Sequence, residues 1–499
     1  VVKDGHIVDT GNEVYLALHY DAKEVYDAGG KTIVPGLIDA HAHLYNLGVS
    51  LQQVDLVGTK SYKEVLDRVV AFQNEKKLYF VRGRGWDQND WEIKEFPTKE
   101  LLDSLFPDIP VALTRIDGHA LWVNSKALEL AKITAQTKMP GGEVVLKNGE
   151  PSGILVDRPM GLVYELDENP TKAFQIQALK DAEKICLSYG LTTVNEAGIT
   201  KELIDLIDSL QQNNAMALRI YAMVRSDPFT LNYYLKKGII KTDRLNVRSV
   251  KGVADGALGS RGAAMREEYS DQSGQFGAMI TTEADLRGMA ERILVAGYQL
   301  NTHAIGDSAN ISVLRVYDEV LKNAQDPRWK VEHAQIVTPS DFDYFSEKIL
   351  PSVQPTHATS DMYWAENRVG PERIKGAYSF KTLLDKSGII ALGTDFPVEQ
   401  VNPMLTFYAA VARKDLDQYP EGGYRMQEGL SREETLKGMT FWAAYSNFEE
   451  NEKGSIEPGK FADFVVLDND IMTVDEELLP ATRVLRTFVN GVSVYSLEE

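Results

Sequence analysis

Two histidines one residue apart stand near the front of the chain, in Pro35-Gly36-Leu37-Ile38-Asp39-Ala40-His41-Ala42-His43. In an extended strand residues i and i+2 project to the same side, so His41 and His43 leave the strand's end together. Two converging neutral imidazoles make half of a transition-metal site. Ligand-type residues recur where later β-rich runs end: His303 closes 298–303, His333 closes 330–333 and Asp395 closes 389–395. The chain has only eight histidines, so four of them at strand ends is a concentration that chance does not supply. Each alone reads as a buried histidine bonded to backbone; jointly they read as a cage for a cation.

Lys251 lies inside an apolar-leaning strand, Val250-Lys251-Gly252-Val253, where an ammonium is costly unless paired or neutralised. An ammonium has no lone pair for a metal. Reaction with CO2 to a carbamate would turn it into an anionic oxygen ligand able to bridge two cations; the plainer alternative is a salt-bridged lysine. A divalent metal, zinc first, lowers the pKa of a bound water toward ~7 and makes hydroxide available at neutral pH.

Other residues are placed to surround that chemistry. His119 is expected over the pocket, on a loop beside Trp122 and Asn124, with a hydrogen-bonded loop histidine as the alternative. Asp255, Arg261 and His357 follow strand ends and are expected to touch substrate, or else to clamp a Gly-rich turn. Trp86, with Asp87 and Trp91, reads as a pocket wall or as core. Asp307 is expected to orient His303. The acidic run at 449–452 reads as a solvated loop.

The elements that must position these groups alternate in kind. Short β-rich runs at 191–196, 219–224, 249–253, 298–302, 329–331, 350–354 and 389–393 are separated by helical patterns. One helix is predicted over 172–189 with Gly190 as its stop; another spans 282–296, with Thr282 and Asp285 placed as a capping box and Gly297 after it. Ser431 and Glu434 open a third. Strands alternating with helices imply a parallel sheet, and their number implies a closed (β/α)8 TIM barrel of α/β class, residues 35–55 plus 166–454. Residues 1–34 and 455–499 read as short strands and turns that cannot bury a core alone, and are expected to pair into one small β-sandwich. Residues 56–165, with Trp86, Trp91, Trp122 and the turn Met139-Pro140-Gly141-Gly142, break the rhythm and read as an inserted subdomain after the first barrel strand, covering the active site.

Composition narrows the class. The chain has 499 residues, 43% hydrophobic and 25% charged, which are ordinary globular values. Its 53 Lys and Arg against 73 Asp and Glu give a net charge of −20, arguing against nucleic acid as a partner. Cys186 is the one cysteine, which excludes an internal disulfide framework and a Cys-rich zinc site. No apolar run reaches the ~18 residues of a membrane span. The chain opens on Val1 with neither Met nor a signal-like segment, so localisation stays open between a cytoplasmic default and export or envelope anchoring.

The residues taken together resemble the metal-dependent amidohydrolase superfamily, in the branch with N-substituted formamide deformylase-like and exoenzyme-regulatory-type proteins. The resemblance runs from the His41–His43 motif to Gly454-Ser-Ile-Glu-Pro-Gly-Lys-Phe-Ala-Asp463. Between them lie Gly83-Arg-Gly-Trp-Asp87, Asp117-Gly-His-Ala120, Asp255-Gly-Ala-Leu-Gly-Ser-Arg261, His303-Ala-Ile-Gly-Asp307, Gln354-Pro-Thr-His357 and Gly393-Thr-Asp-Phe-Pro397. It implies that His41 and His43 hold the more buried metal, that carbamylated Lys251 bridges to a second held by His303 and His333, and that Asp395 touches metal and moves protons. It also implies barrel strands one, four and eight at the His41, Lys251 and Asp395 positions. One departure is Asn195-Glu196, where relatives often show His-Asp. The expected reaction is hydrolysis of a C–N bond in a small amide, formamide or cyclic amide, with ester hydrolysis or isomerisation on the same parts as alternatives. A non-catalytic ligand-binding regulator is the reading from another class, and retention of all six ligand-type residues argues against it. Homodimers are common among such relatives.

Overall fold

The computed structural model describes residues 1–139, 142–167 and 170–497, so Pro140 and Gly141 of the 139–142 turn lie outside the described residues. Eight parallel strands form the central sheet: β1 (Leu37–Ala42), β2 (Leu191–Ile199), β3 (Arg219–Arg225), β4 (Leu245–Val253), β5 (Gln299–Ala304), β6 (Trp329–His333), β7 (Ile349–Val353) and β8 (Ala391–Leu392). Each pairs with the next in order, and helices fill most of the connections, as the alternating pattern requires. The β runs are rich in Val, Ile and Thr and buried along nearly their whole length, the composition of strands covered on both faces.

The sheet nearly closes. Asp395 N–H donates to the His41 carbonyl at 2.8 Å, and Asp39 ties the same seam: Oδ1 accepts from the His41 and Thr394 amides at 3.1 Å each, and Oδ2 accepts from the Thr394 hydroxyl at 2.7 Å. Gly393 is required by this approach, because a Cβ there would lie 2.5 Å from His41 N and 2.7 Å from Asp39 Oδ1.

The helices begin and end where the capping residues stand. Thr282 Oγ1 accepts from Asp285 N at the start of Glu283–Val295, and Ser431 with Glu434 completes a reciprocal capping box before Arg432–Gly438. Gly190, after Lys172–Ser188, has φ +78°, a conformation glycine adopts without strain.

Residues Tyr45–Ala182 form a second compact unit, wider at both ends than the expected 56–165. Its six-stranded sheet runs Gln53–Asp55, Val81–Trp86, Val111–Arg115, Ala120–Val123, Glu150–Asp157 and Gly142–Lys147 in spatial order. The three residues Gln53–Asp55 pair in parallel with Val81–Trp86, which takes them out of the barrel. Trp86, Trp91 and Trp122 form this unit's core with Val54, Leu56, Leu113 and Ile154.

The chain ends meet as expected but build less than a sandwich. Thr32–Pro35, Phe464–Leu467, Val484–Val489 and Val492–Ser496 make one antiparallel four-stranded sheet, and Val2–Lys3 with His6–Ile7 adds only a short ribbon. Within the expected strand region, Glu13–His19 is a helix, started by Asn12, whose side chain accepts from the Tyr15 amide at 2.9 Å; its Tyr-Leu-Ala-Leu run favours helix over strand. At 449–452 the solvated-loop expectation fails for Glu449, which is buried and paired with Lys241 at 2.8 Å and Lys453 at 2.7 Å. Among the described residues no helix is long and apolar enough to cross a membrane.

Candidate metal centre

The C-terminal ends of β1, β4, β5, β6 and the residues after β8 bring six distant side chains together. His41 Nε2 lies 2.8 Å from Lys251 Nζ and 3.7 Å from Asp395 Oδ1. His43 Nε2 is 3.2 Å from the same oxygen. The His41 and His333 rings are 4.9 Å apart and the His333 and His303 rings 4.6 Å apart, centre to centre. One ligand atom each from His41, His333 and Asp395 lies within 4.8 Å of the other two. His333 and Asp395 hold φ of +71° and +63°, a left-handed backbone that costs a non-glycine residue about 1–3 kcal/mol and clusters at functional sites.

Burial and neighbouring charges shift these groups in consistent directions. Burial, then the Lys251 charge, brings His303 down to about 3, and burial with the neighbouring His303 and His41 holds His333 well below the usual histidine range. Burial also lowers the Lys251 ammonium, against the opposing pull of Glu332 and Asp395. Burial raises the Asp395 carboxyl, but the close approach of His43 and the charges of the His41, His333 and His357 rings outweigh it, so the group sits well below the carboxylate range.

A cation fits this donor set. His303 Nε2, His357 Nε2 and Asp395 Oδ1 are buried with no hydrogen-bond partner among the described residues, although buried polar atoms are ordinarily paired. Imidazole nitrogens and carboxylate oxygen are the ligand types zinc accepts.

The residues expected around the site divide. His357 reaches it: its Nε2 is 3.8 Å from Asp395 Oδ2 and its ring stacks on His333 at 6.0 Å. Asp255 lies beside it, 3.6 Å from His303 Nε2, but its carboxylate accepts the backbone amides of Ala264, Ile305 and Gly306 at 2.8–3.0 Å, so it clamps the loops after β4 and β5. Arg261 is engaged by both oxygens of Asp271, at 3.0 and 2.8 Å, and holds its own loop. Asp307 does not orient His303; it accepts the Arg266 amide at 2.8 Å, and the carboxylate near His303 is Asp255. Trp86 is fully buried in the core of the Tyr45–Ala182 unit, with its indole N–H on the Leu113 carbonyl at 2.7 Å, and is a packing residue there, not an exposed wall. His119, in the same unit, is exposed, with Nδ1 2.6 Å from Asp157 Oδ1.

Sequence reasoning missed two partners. His41 Nδ1 donates to Glu332 Oε2 at 2.6 Å and His333 Nδ1 to Gln354 Oε1 at 2.7 Å. Their one local signal is position, since Glu332 precedes a ligand-type histidine and Gln354 closes a strand. The Asn195-Glu196 departure is occupied internally. Asn195 bonds Asn447 and the Ala40 carbonyl, and Glu196 accepts the Leu44 amide.

Comparison with known proteins finds relatives along nearly the whole chain. A sequence profile of the amidohydrolase family matches residues 24–495. Protein LONG AFTER FAR-RED 3 of Arabidopsis thaliana is 32% identical over 516 aligned residues, covering 99% of this chain and 88% of its own. The N-substituted formamide deformylase of Arthrobacter pascens is 28% identical over 514, covering 98% and 93%. An uncharacterized metal-dependent hydrolase from Pyrococcus furiosus superposes with a TM-score of 0.79 at 28% identity, covering 95% of each chain.

Proposed function

Because this chain belongs to the amidohydrolase family, we propose that it is a metal-dependent hydrolase of a C–N bond in a small amide, formamide or cyclic amide. The observation that carries the reading is the convergence of buried nitrogen and oxygen atoms without hydrogen-bond partners at the end of the barrel where such enzymes work. The formamide deformylase among the relatives and the metal-dependent hydrolase among the similar structures support the bond type and the cofactor.

His41, His43, His303 and His333 would hold one or two divalent ions, zinc first, with Asp395 and a Lys251 carbamate as the anionic ligands. Such an ion supplies Lewis acidity, lowering the pKa of water and polarising a carbonyl. The chain's own residues do the rest. Asp395, kept ionised by the imidazoles around it, accepts the proton of the attacking water and delivers it to the leaving nitrogen. Its backbone amide is anchored to the His41 carbonyl, which fixes the carboxylate against the front histidines. His357, aimed at Asp395 Oδ2 with Nε2 free, is placed to bind the substrate's polar group on the far side of that carboxylate.

The test is metal content of the purified protein, followed by turnover on N-substituted formamides, linear amides, cyclic amides and esters, before and after chelation. Bound divalent metal with chelator-sensitive turnover of a C–N substrate is the expected result. Bound metal with no turnover on any of them would favour the ligand-binding regulator.

A further inference from the structure

One fully buried carboxylate near the site has no part in the chemistry above. Glu332 lies on β6 immediately before His333, and its Oε2 accepts from His41 Nδ1 at 2.6 Å with neither side chain exposed. Its other oxygen makes no hydrogen bond among the described residues. Lys330 stands two residues earlier, on the same face of the strand, with Nζ on Asn447 Oδ1 at 2.8 Å and 5.1 Å from the centre of the Tyr221 ring. The hydrogen bond to Glu332 fixes the His41 tautomer. The proton is on Nδ1, and the lone pair of Nε2 faces Lys251 and Asp395. His333 is oriented in the same sense, but by the amide oxygen of Gln354. A carboxylate behind an imidazole raises its basicity as a ligand; a neutral amide orients it without adding charge.

We propose that Glu332 is a positioning residue for the cation site, one that turns His41 Nε2 to the ion and, by its charge, makes His41 a stronger ligand than the Gln354-backed His333. This rests on the metal-hydrolase reading. The competing role is purely structural: Glu332 balances the buried Lys330 ammonium, and its contact with His41 is incidental.

Cobalt(II) titration of the metal-stripped full chain, followed by the visible spectrum and by competition with a chelator, separates the two. Glu332→Gln keeps the shape and an acceptor oxygen but removes the charge; Lys330→Met/Glu332→Gln removes both buried charges and protects the fold. We expect both variants to bind cobalt roughly 10–100-fold more weakly, with an altered ligand-field spectrum, while the double variant recovers the melting temperature lost by the single one. Gln354→Glu, which gives His333 a carboxylate too, is expected to bind cobalt more tightly. A double variant that binds cobalt like the parent, or a weakened Gln354→Glu, would overturn the inference and leave the hydrolase reading standing. A parent chain that binds no cobalt would overturn both.

Discussion

Asp463 and Asp395 are buried carboxylates of the same unit, and their surroundings are opposite. Asp463 ties the terminal sheet to the barrel. Its Oδ2 accepts Arg219 Nε at 2.6 Å, and its Oδ1 accepts Arg219 Nη2 and the Asn490 amide at 2.9 Å each. Arg219 continues to the Asn490 side chain and the Asp243 carbonyl. Each of the three guanidinium nitrogens is hydrogen-bonded within the chain. Asp395 faces histidines at 3.2–3.8 Å, and its Oδ1 makes no hydrogen bond among the described residues. A closed network holds two pieces of structure together, whereas acceptors that converge and stay open await something the chain does not supply.

Substitutions at the two places should therefore fail differently. Asp395→Asn is expected to lower kcat by about 10²–10⁴-fold while the melting temperature of the metal-free protein holds or rises; a stability loss as large as the activity loss would erase the contrast. Arg219→Ala should cost about 3–5 kcal/mol in denaturant unfolding, because it strands Asp463 as an uncompensated buried charge, with kcat per folded molecule unchanged at low temperature. Glu449, a buried carboxylate ion-paired with lysines, adds a pH version of the comparison. Burial raises its pKa, but Lys453 and Lys241 pull it to about 2, from a usual 4.5. Since the folded pKa is depressed, its contribution is present above pH 4.5 and is lost as pH falls toward 2. Glu449→Gln should then destabilise the protein by about 3 kcal/mol at pH 7 and flatten the acid limb of its stability curve. The smallest effect belongs to Arg261, whose solvent-screened pair with Asp271 should contribute little to stability. Arg261→Ala should leave KM unchanged; a large rise in KM would return it to the substrate-contact role its place after β4 suggested.

The contrast also marks what was legible in the sequence. The barrel could be read because strand runs and helix caps are local signals, and His41, His43, His303, His333 and Asp395 stood out because each closes such a run. Lys251 was visible as a charge in an apolar strand. The partners were not. Glu332 meets His41 across 291 residues of separation, and Asp255, not Asp307, lies against His303 because loop closure after β4 decides it. Trp86 could be core or wall until its indole N–H was seen to bond Leu113 inside a packed sheet. The edge of the second unit was missed because a strand as short as Gln53–Asp55 has no periodicity of its own and takes its identity from the neighbour it pairs with.

The account stands on six side chains jointly holding a cation. An anomalous-scattering map of crystals of the purified protein, collected across the zinc edge, tests this directly. The account expects a peak at about 2.0–2.2 Å from histidine nitrogens of the His41, His43, His303 and His333 set and from an oxygen of Asp395, with carboxylate density extending from Lys251. Bound metal located elsewhere, with these side chains hydrogen-bonded only to one another or to water, would contradict it.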